Sequence, residues 1–247
     1  MLEDNPAKHK KKSQFREYVE ALGVAILAAL ILRAVVIQAF RIPTGSMKDT
    51  LLIGDFLLVN KFIYGAKTPE RIPYLDVKLP SFRFPALTHP KRGDIIVFKY
   101  PQDEKLDYIK RCIAVGGDTL EIREGLVYIN NKPYENAKFR EKKYDQEEYK
   151  YINYYDVETI DGKRYTIRHY ADGSYRYYNY GPRVIPKDAL FMMGDNRDNS
   201  QDSRYWGMMP LKNVVGQALV IYFSWEKGPI FKFYDQIRWG RIFSVIR

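Results

Sequence analysis

Tyr108-Ile109-Lys110-Arg111-Cys112-Ile113-Ala114 is a short apolar run interrupted by two adjacent cations, entered from Asp107 and closed by Gly116-Gly117. A run of that length between turn-forming residues reads as a half-buried or buried β-strand. Alternation along it puts Tyr108, Lys110 and Cys112 on one face and Arg111 on the other. Working outward, Phe56 to Phe62, Asp94 to Tyr100 and Val214 to Phe223 repeat the pattern between Gly, Pro, Asp and Asn. Thr119 to Arg123 and Leu126 to Asn130 flank Glu124-Gly125, the signature of a hairpin. No long amphipathic helix stands among these runs, so the core is expected to be mainly β.

With 247 residues and 46% apolar content the chain can bury a sizeable core. A formal charge of +10 suits nucleic acid, anionic lipid headgroups or polypeptides, and does not choose among them. The single cysteine, Cys112, excludes an intrachain disulfide and a cysteine-rich zinc cluster. From Asn131 to Gly181 the composition changes, because more than half of the 21 tyrosines fall there and the charges nearly cancel. Asp161-Gly162 and Asp172-Gly173 divide that stretch into runs of strand length, so an inserted meander of about three strands is expected. Its near-neutral charge is a poor start for binding phosphates, and no nucleic-acid partner is expected.

The N-terminus reads as an anchor. Ala21 to Leu32 is unbroken apolar sequence, and beyond Arg33 the segment Ala34 to Phe40 is again mostly apolar. A helix from about Tyr18 to Ile37 would span about 30 Å, the thickness of a bilayer core. Lys8, Lys10, Lys11, Lys12 and Arg16 precede it, which by the positive-inside tendency keeps the N-terminus in the cytoplasm and the rest of the chain outside. A cleaved signal peptide has similar dimensions, but Ile37-Gln38-Ala39 is a weak cleavage site.

Ser46, in Ile42-Pro43-Thr44-Gly45-Ser46-Met47, therefore stands just outside a membrane. A serine hydroxyl needs a base, and the histidines are poorly placed for it. His9 precedes the span, His169 lies in the tyrosine-rich insertion and His89 lies in a turn before Pro90. A lysine replaces histidine when burial lowers its pKa from about 10.4 toward the working pH, and Lys110 sits on an otherwise apolar face. The polar stretch from Gly194-Asp195-Asn196-Arg197-Asp198-Asn199-Ser200 to Trp206-Gly207 reads as an ordered loop in which acids lock Arg197 or Arg204. A calcium loop is the rival, and it lacks the glycine and glutamate such loops need, having Ser203 and Met209 instead.

These segments, with Thr50-Leu51-Leu52-Ile53-Gly54-Asp55, Lys91-Arg92-Gly93-Asp94-Ile95-Ile96-Val97-Phe98 and Gly117-Asp118, resemble the successive sequence boxes of bacterial type I signal peptidases, the Ser-Lys peptidases of family S26. The resemblance implies an antiparallel β catalytic domain over 41–130 and 182–247, carrying a small β insertion at 131–181, behind a cytoplasmic tail (1–17) and a transmembrane helix (18–40). It implies cleavage of signal peptides from secreted preproteins after small-x-small sites, with Ser46 as nucleophile and Lys110 as general base. Ser200 would orient the lysine, and the oxyanion would be held by the Ser46 N–H and the Thr44 hydroxyl. Asp195, Arg197, Asp202 and Arg204 would hold the loop behind them. Ile42, Pro43, Met47, Leu51, Tyr108 and Ile109 would line shallow pockets for an extended substrate. Two positions depart from the family's habit: Thr44 stands where serine is common, and Asp49 where proline is. The implied partners are preprotein signal peptides at the secretion machinery and membrane lipid, and neither a cofactor nor a metal is expected. The implied location is the bacterial inner membrane, with the catalytic domain periplasmic or extracellular. Self-cleaving Ser-Lys repressors share the dyad without needing the span. An inactive anchored binding protein, or a specialised peptidase for a conjugation or pilus substrate, would also account for the span.

Overall fold

In the computed structural model, residues 14–68, 80, 82–174, 178–226, 228 and 233–247 are described, with the side chains at 27, 30–35 and 233 outside the description. Helix α1 (Gln14–Val35) leads into strands β1 (Ile37–Arg41), β2 (Asp55–Asn60), β3 (Ile95–Tyr100) and β4 (Asp103–Val115). Then come β5 (Thr119–Arg123), β6 (Leu126–Ile129), β7 (Lys132–Pro133), β8 (Glu135–Asp145), β9 (Lys150–Thr159) and β10 (Arg164–Tyr170). The chain returns through β11 (Tyr180–Val184), β12 (Ala189–Met193), the short helix α2 (Ser203–Trp206), β13 (Met209–Pro210), β14 (Val214–Ser224) and β15 (Ser244–Val245).

The strands form three antiparallel sheets. The largest runs β1-β2-β14-β3-β4-β12-β13, with β15 on the side of β14; β10-β9-β8 and β11-β5-β6-β7 form the others. Sequence dictates the central position of β3, because Ile95, Ile96, Val97 and Phe98 are all buried and a strand apolar on both faces needs cover on both. Ile95 and Val97 join Ile42, Met47, Leu51, Leu57 and Val59 on one side, while Ile96 and Phe98 join Cys112, Leu190 and Met192 on the other. Register sets Ile96 opposite Lys110 and Phe98 opposite Tyr108, so the face of Lys110 is apolar as its strand pattern requires. The turn between β5 and β6 has Glu124 at φ 51° and Gly125 at φ 78°, the paired positive angles that a two-residue hairpin matching the strand twist demands.

The helix expected over 18–40 ends at Val35, and Ile37–Arg41 instead pairs with β2 along its whole length. The alternation in Ile37-Gln38-Ala39-Phe40-Arg41 suits an edge strand and outcompetes further helix. Among the described residues no helix is long and apolar enough to cross a membrane. Tyr144, Tyr149 and Tyr151 of the tyrosine-rich stretch are exposed, but its sheet is stitched to the body. Arg168 on β10 donates its N–H to the Asp195 carbonyl and accepts from the Arg197 N–H, each at 3.0 Å.

Candidate active site

Ser46 lies in a 3-10 turn, Gly45–Met47, between β1 and β2. Met47 and Leu51 are buried beneath it, and the Leu51 N–H bonds back to the Met47 carbonyl at 2.7 Å, which fixes the turn on the core. Behind it Asp55 accepts from the Leu52 N–H, Ser224 Oγ and Arg241, tying the turn to β14 and the C-terminal segment.

Lys110 reaches this turn from β4. Its Nζ is 2.6 Å from Ser46 Oγ and 3.1 Å from the Ile109 carbonyl, and the residue is only 4% exposed. Burial is the main cause that pushes its pKa down to about 8; Arg204 adds to the fall, and Asp202 and Asp195 oppose it. An amine with that pKa is half neutral near pH 8, which a general base requires.

The loop after β12 seals the back of the pair. Gly194 is required there, since a Cβ on it would stand 2.3 Å from Ser200 Oγ and 2.4 Å from the Ser46 carbonyl oxygen. The Asn196 N–H donates to that same Ser46 carbonyl at 3.1 Å, while its side-chain amide donates to the Gly45 carbonyl and to Glu148. Asp202 accepts from Nε and Nη2 of Arg204 and from the Gly194 N–H; burial alone would raise its carboxyl, and these partners hold it below the usual carboxylate range. Asp195 receives a bidentate pair from Arg111 at 2.8 and 2.7 Å, the arginine stacking on Tyr165 at 3.8 Å. Arg197 is forked onto Glu135 of β8.

Several expectations need correction. Of the two arginines expected to be locked by acids of the loop, Arg204 is, by Asp202, whereas Arg197 pairs outside the loop with Glu135, and Asp195 pairs with Arg111 on the strand of Lys110. Ser200 does not hydrogen-bond Lys110. Its Oγ is buried with no hydrogen bond of full geometry, although it stands close enough to Asp202 to help keep that carboxylate ionised. The Lys110 amine is already engaged by Ser46 and the Ile109 carbonyl. Of the six pocket residues, Ile42, Met47 and Leu51 belong to the buried core and form the floor under the serine. Tyr108 and Ile109 are half-buried and Pro43 is exposed, so these three remain reachable. Thr44 is exposed in extended conformation at the head of the serine's turn. Asn196, Arg111, Glu135 and Glu148 were missed as site residues. A charged side chain on the second face of an apolar strand was the available signal for Arg111, while Glu135 and Glu148 carried none.

A buried lysine against a serine on a turn, backed by a salt-bridged loop, is the equipment of a peptidase. The family model of signal peptidases, peptidase S26, matches residues 15–225. The chain belongs to that family. It is a serine peptidase, which sets aside the inactive binding protein. Signal peptidase I of Aquifex aeolicus is 38% identical over 85% of this chain and 84% of its own, and that of Pseudomonas aeruginosa is 36% identical over 90% and 78%. A crystal structure of a signal peptidase I from Enterococcus faecalis, 25% identical, covers 53% of this chain and 97% of its own at a TM-score of 0.32. That overlay is loose, and the fold of this member of the peptidase S26 family rests on its own sheet topology.

Proposed function

We infer that the chain is a membrane-anchored endopeptidase that removes signal peptides from secreted preproteins by a Ser46–Lys110 dyad. The observation that carries the reading is the 2.6 Å approach of a buried lysine, with its pKa lowered to about 8, to the serine oxygen. With the amine neutral, the Ser46 O–H donates to Nζ, and Oγ attacks the scissile carbonyl carbon as its proton passes to Lys110. The Ser46 N–H and the Thr44 hydroxyl receive the oxyanion; the first N–H groups of such a turn have no partner inside it. Collapse sends the lysine's proton to the leaving amine and leaves an ester on Ser46. Neutral Lys110 then deprotonates a water that attacks the ester, and as the C–Oγ bond breaks it returns that proton to Ser46 Oγ, freeing the product and restoring the dyad. The protonated lysine has one more N–H than the neutral one, and Ser200 Oγ, a buried hydroxyl of the site loop with no hydrogen bond of full geometry, suits it as acceptor.

The substrate binds extended along β4, since β12 pairs with that strand only from Arg111 onward and the side before it is open to strand addition. Small residues preceding the cut rest over the floor of Ile42, Met47 and Leu51. Helix α1 is the anchor. Phe15, Tyr18, Val19, Leu22, Val24 and Ile26 are all exposed, and beyond Glu20 the exposed side chains from Ala21 to Ile26 carry no charge on any side, which calls for an apolar solvent. The test is a preprotein in detergent, with the new N-terminus sequenced: a cut after a small-x-small site by the parent chain and none by Ser46→Ala is expected, and a cut elsewhere overturns the assigned specificity.

A further inference from the structure

The strongest unexplained feature is a cavity of about 460 Å³ beside β1, within the range of roughly 300–1,000 Å³ common to ligand pockets. Gln38 and Phe40 of β1 form one wall. Five cations are among the other lining residues, Lys61, Lys67, Arg83, Lys99 and Lys212, with two carboxylates, Glu104 and Asp107, and neutral residues beside them. Asp107 pairs with Lys99 at 2.9 Å. Arg83 directs its donors at the backbone carbonyls of Tyr64, Lys212 and Val214, so its partners there are neutral. Burial first, and then the charge of Lys99, lower the pKa of Lys61, although Asp107 opposes the fall. Cations gathered until they weaken one another are stabilised by an anion between them.

The location names the anion. The Lys61 N–H is bonded to the carbonyl of Val36, the residue directly after α1. Gln38 is three residues beyond the helix end, about 10 Å of extended chain. The polar headgroup layer on each side of a bilayer is about 5–8 Å deep. The cavity therefore begins in the headgroup layer, at Lys61 beside Val36, and reaches the layer's water side at Gln38, a step that rests on the reading of α1 as the anchor. We propose that this pocket binds the phosphate of an anionic phospholipid headgroup and so fixes the catalytic domain's orientation against the bilayer. The chemistry is phosphate recognition by lysine point charges around a preset guanidinium, and the source is the membrane rather than free phosphate.

The test uses the full-length chain in neutral detergent with equal amounts of phosphatidylglycerol and phosphatidylcholine, and counts bound lipids by native mass spectrometry. Phosphatidylglycerol should be preferred. Lys99→Gln with Lys212→Gln should cut that preference about tenfold or more, at about 1 kcal/mol per lysine removed. Lys132→Gln, Lys138→Gln and Lys187→Gln, exposed lysines elsewhere, should leave it unchanged. Equal binding of the two lipids, or an unchanged preference in the double variant, overturns the proposal. Complete displacement by an equal concentration of inorganic phosphate makes it a free-phosphate site, and displacement by a polyglutamate peptide makes it a peptide site; either outcome overturns the lipid assignment. Alkaline extraction of membranes reads the anchor separately. A chain that resists extraction but shows no lipid preference loses the pocket alone, and one that is extracted yet prefers the anionic lipid loses the anchor alone.

Discussion

At the scale of single residues, Lys110 decides the most. If Lys110 is the general base, catalysis needs its neutral amine, and kcat/KM is expected to rise with pH to a plateau, with a midpoint near pH 8. A profile flat from about pH 5 to 9 would count against the lysine as base. The same shift sets a stability effect. The folded-state pKa, about 8, is below the ordinary lysine value of 10.5, so the unfolded chain binds more protons between the two and stability rises with pH across that window. Below about pH 8 the full penalty is present, roughly 3 kcal/mol at about 1.36 kcal/mol per pH unit. Lys110→Met should therefore abolish cleavage while raising the urea midpoint at pH 6 to 7, and a lowered midpoint would contradict the burial penalty. Thr44→Val should lower kcat by about 10² with KM little changed, because the lost hydroxyl acts on the developing oxyanion. Thr44→Ser should retain activity. The strand alternation made the environment of Lys110 legible in the sequence. The lack of a bond at Ser200 was not, because it depends on angstrom-scale placement of a loop.

At the scale of elements, the loop after β12 holds the serine's turn through contacts that leave little slack. Gly194→Ala would force a Cβ against the Ser46 carbonyl, displacing the nucleophile, and kcat should fall by about 10². An active variant would mean that this loop yields easily. Glu135→Ala leaves Arg197 buried without its carboxylate and is expected to cost about 3–5 kcal/mol in chemical denaturation. A cost under about 1 kcal/mol would show that water reaches the pair. β2, β3, β4, β14 and the β5–β6 hairpin could be read from alternation and turn residues, to within a few residues at their ends. β1 could not: its apolar pattern continues that of α1, and only pairing with β2 ends the helix. The pairings Arg111–Asp195 and Arg197–Glu135 were equally hidden, since their partners are 84 and 62 residues apart and no local pattern links them.

At the scale of the whole molecule, an N-terminal helix with exposed apolar sides, a basic cavity at its exit and an open strand edge beside the serine share one logic. On the proposed function they would hold a peptidase at the height where a signal peptide leaves the bilayer. If α1 is the anchor, protease added to spheroplasts stripped of cell wall and any outer membrane should digest the catalytic domain and spare only the N-terminal residues. Full protection of that domain would place it in the cytoplasm and contradict the topology. The strands of the tyrosine-rich stretch were legible from its length and turn residues, but their part in holding the site loop through Arg168 and Glu135 was not, because composition says nothing about docking. The most direct measurement is cleavage of a purified preprotein by the full-length chain and by Ser46→Ala and Lys110→Ala, with products identified by N-terminal sequencing and folding checked by circular dichroism. The expected result is one cut after a small-x-small site by the parent chain and an intact preprotein with both folded variants; cleavage at the parent rate by either variant would contradict the dyad.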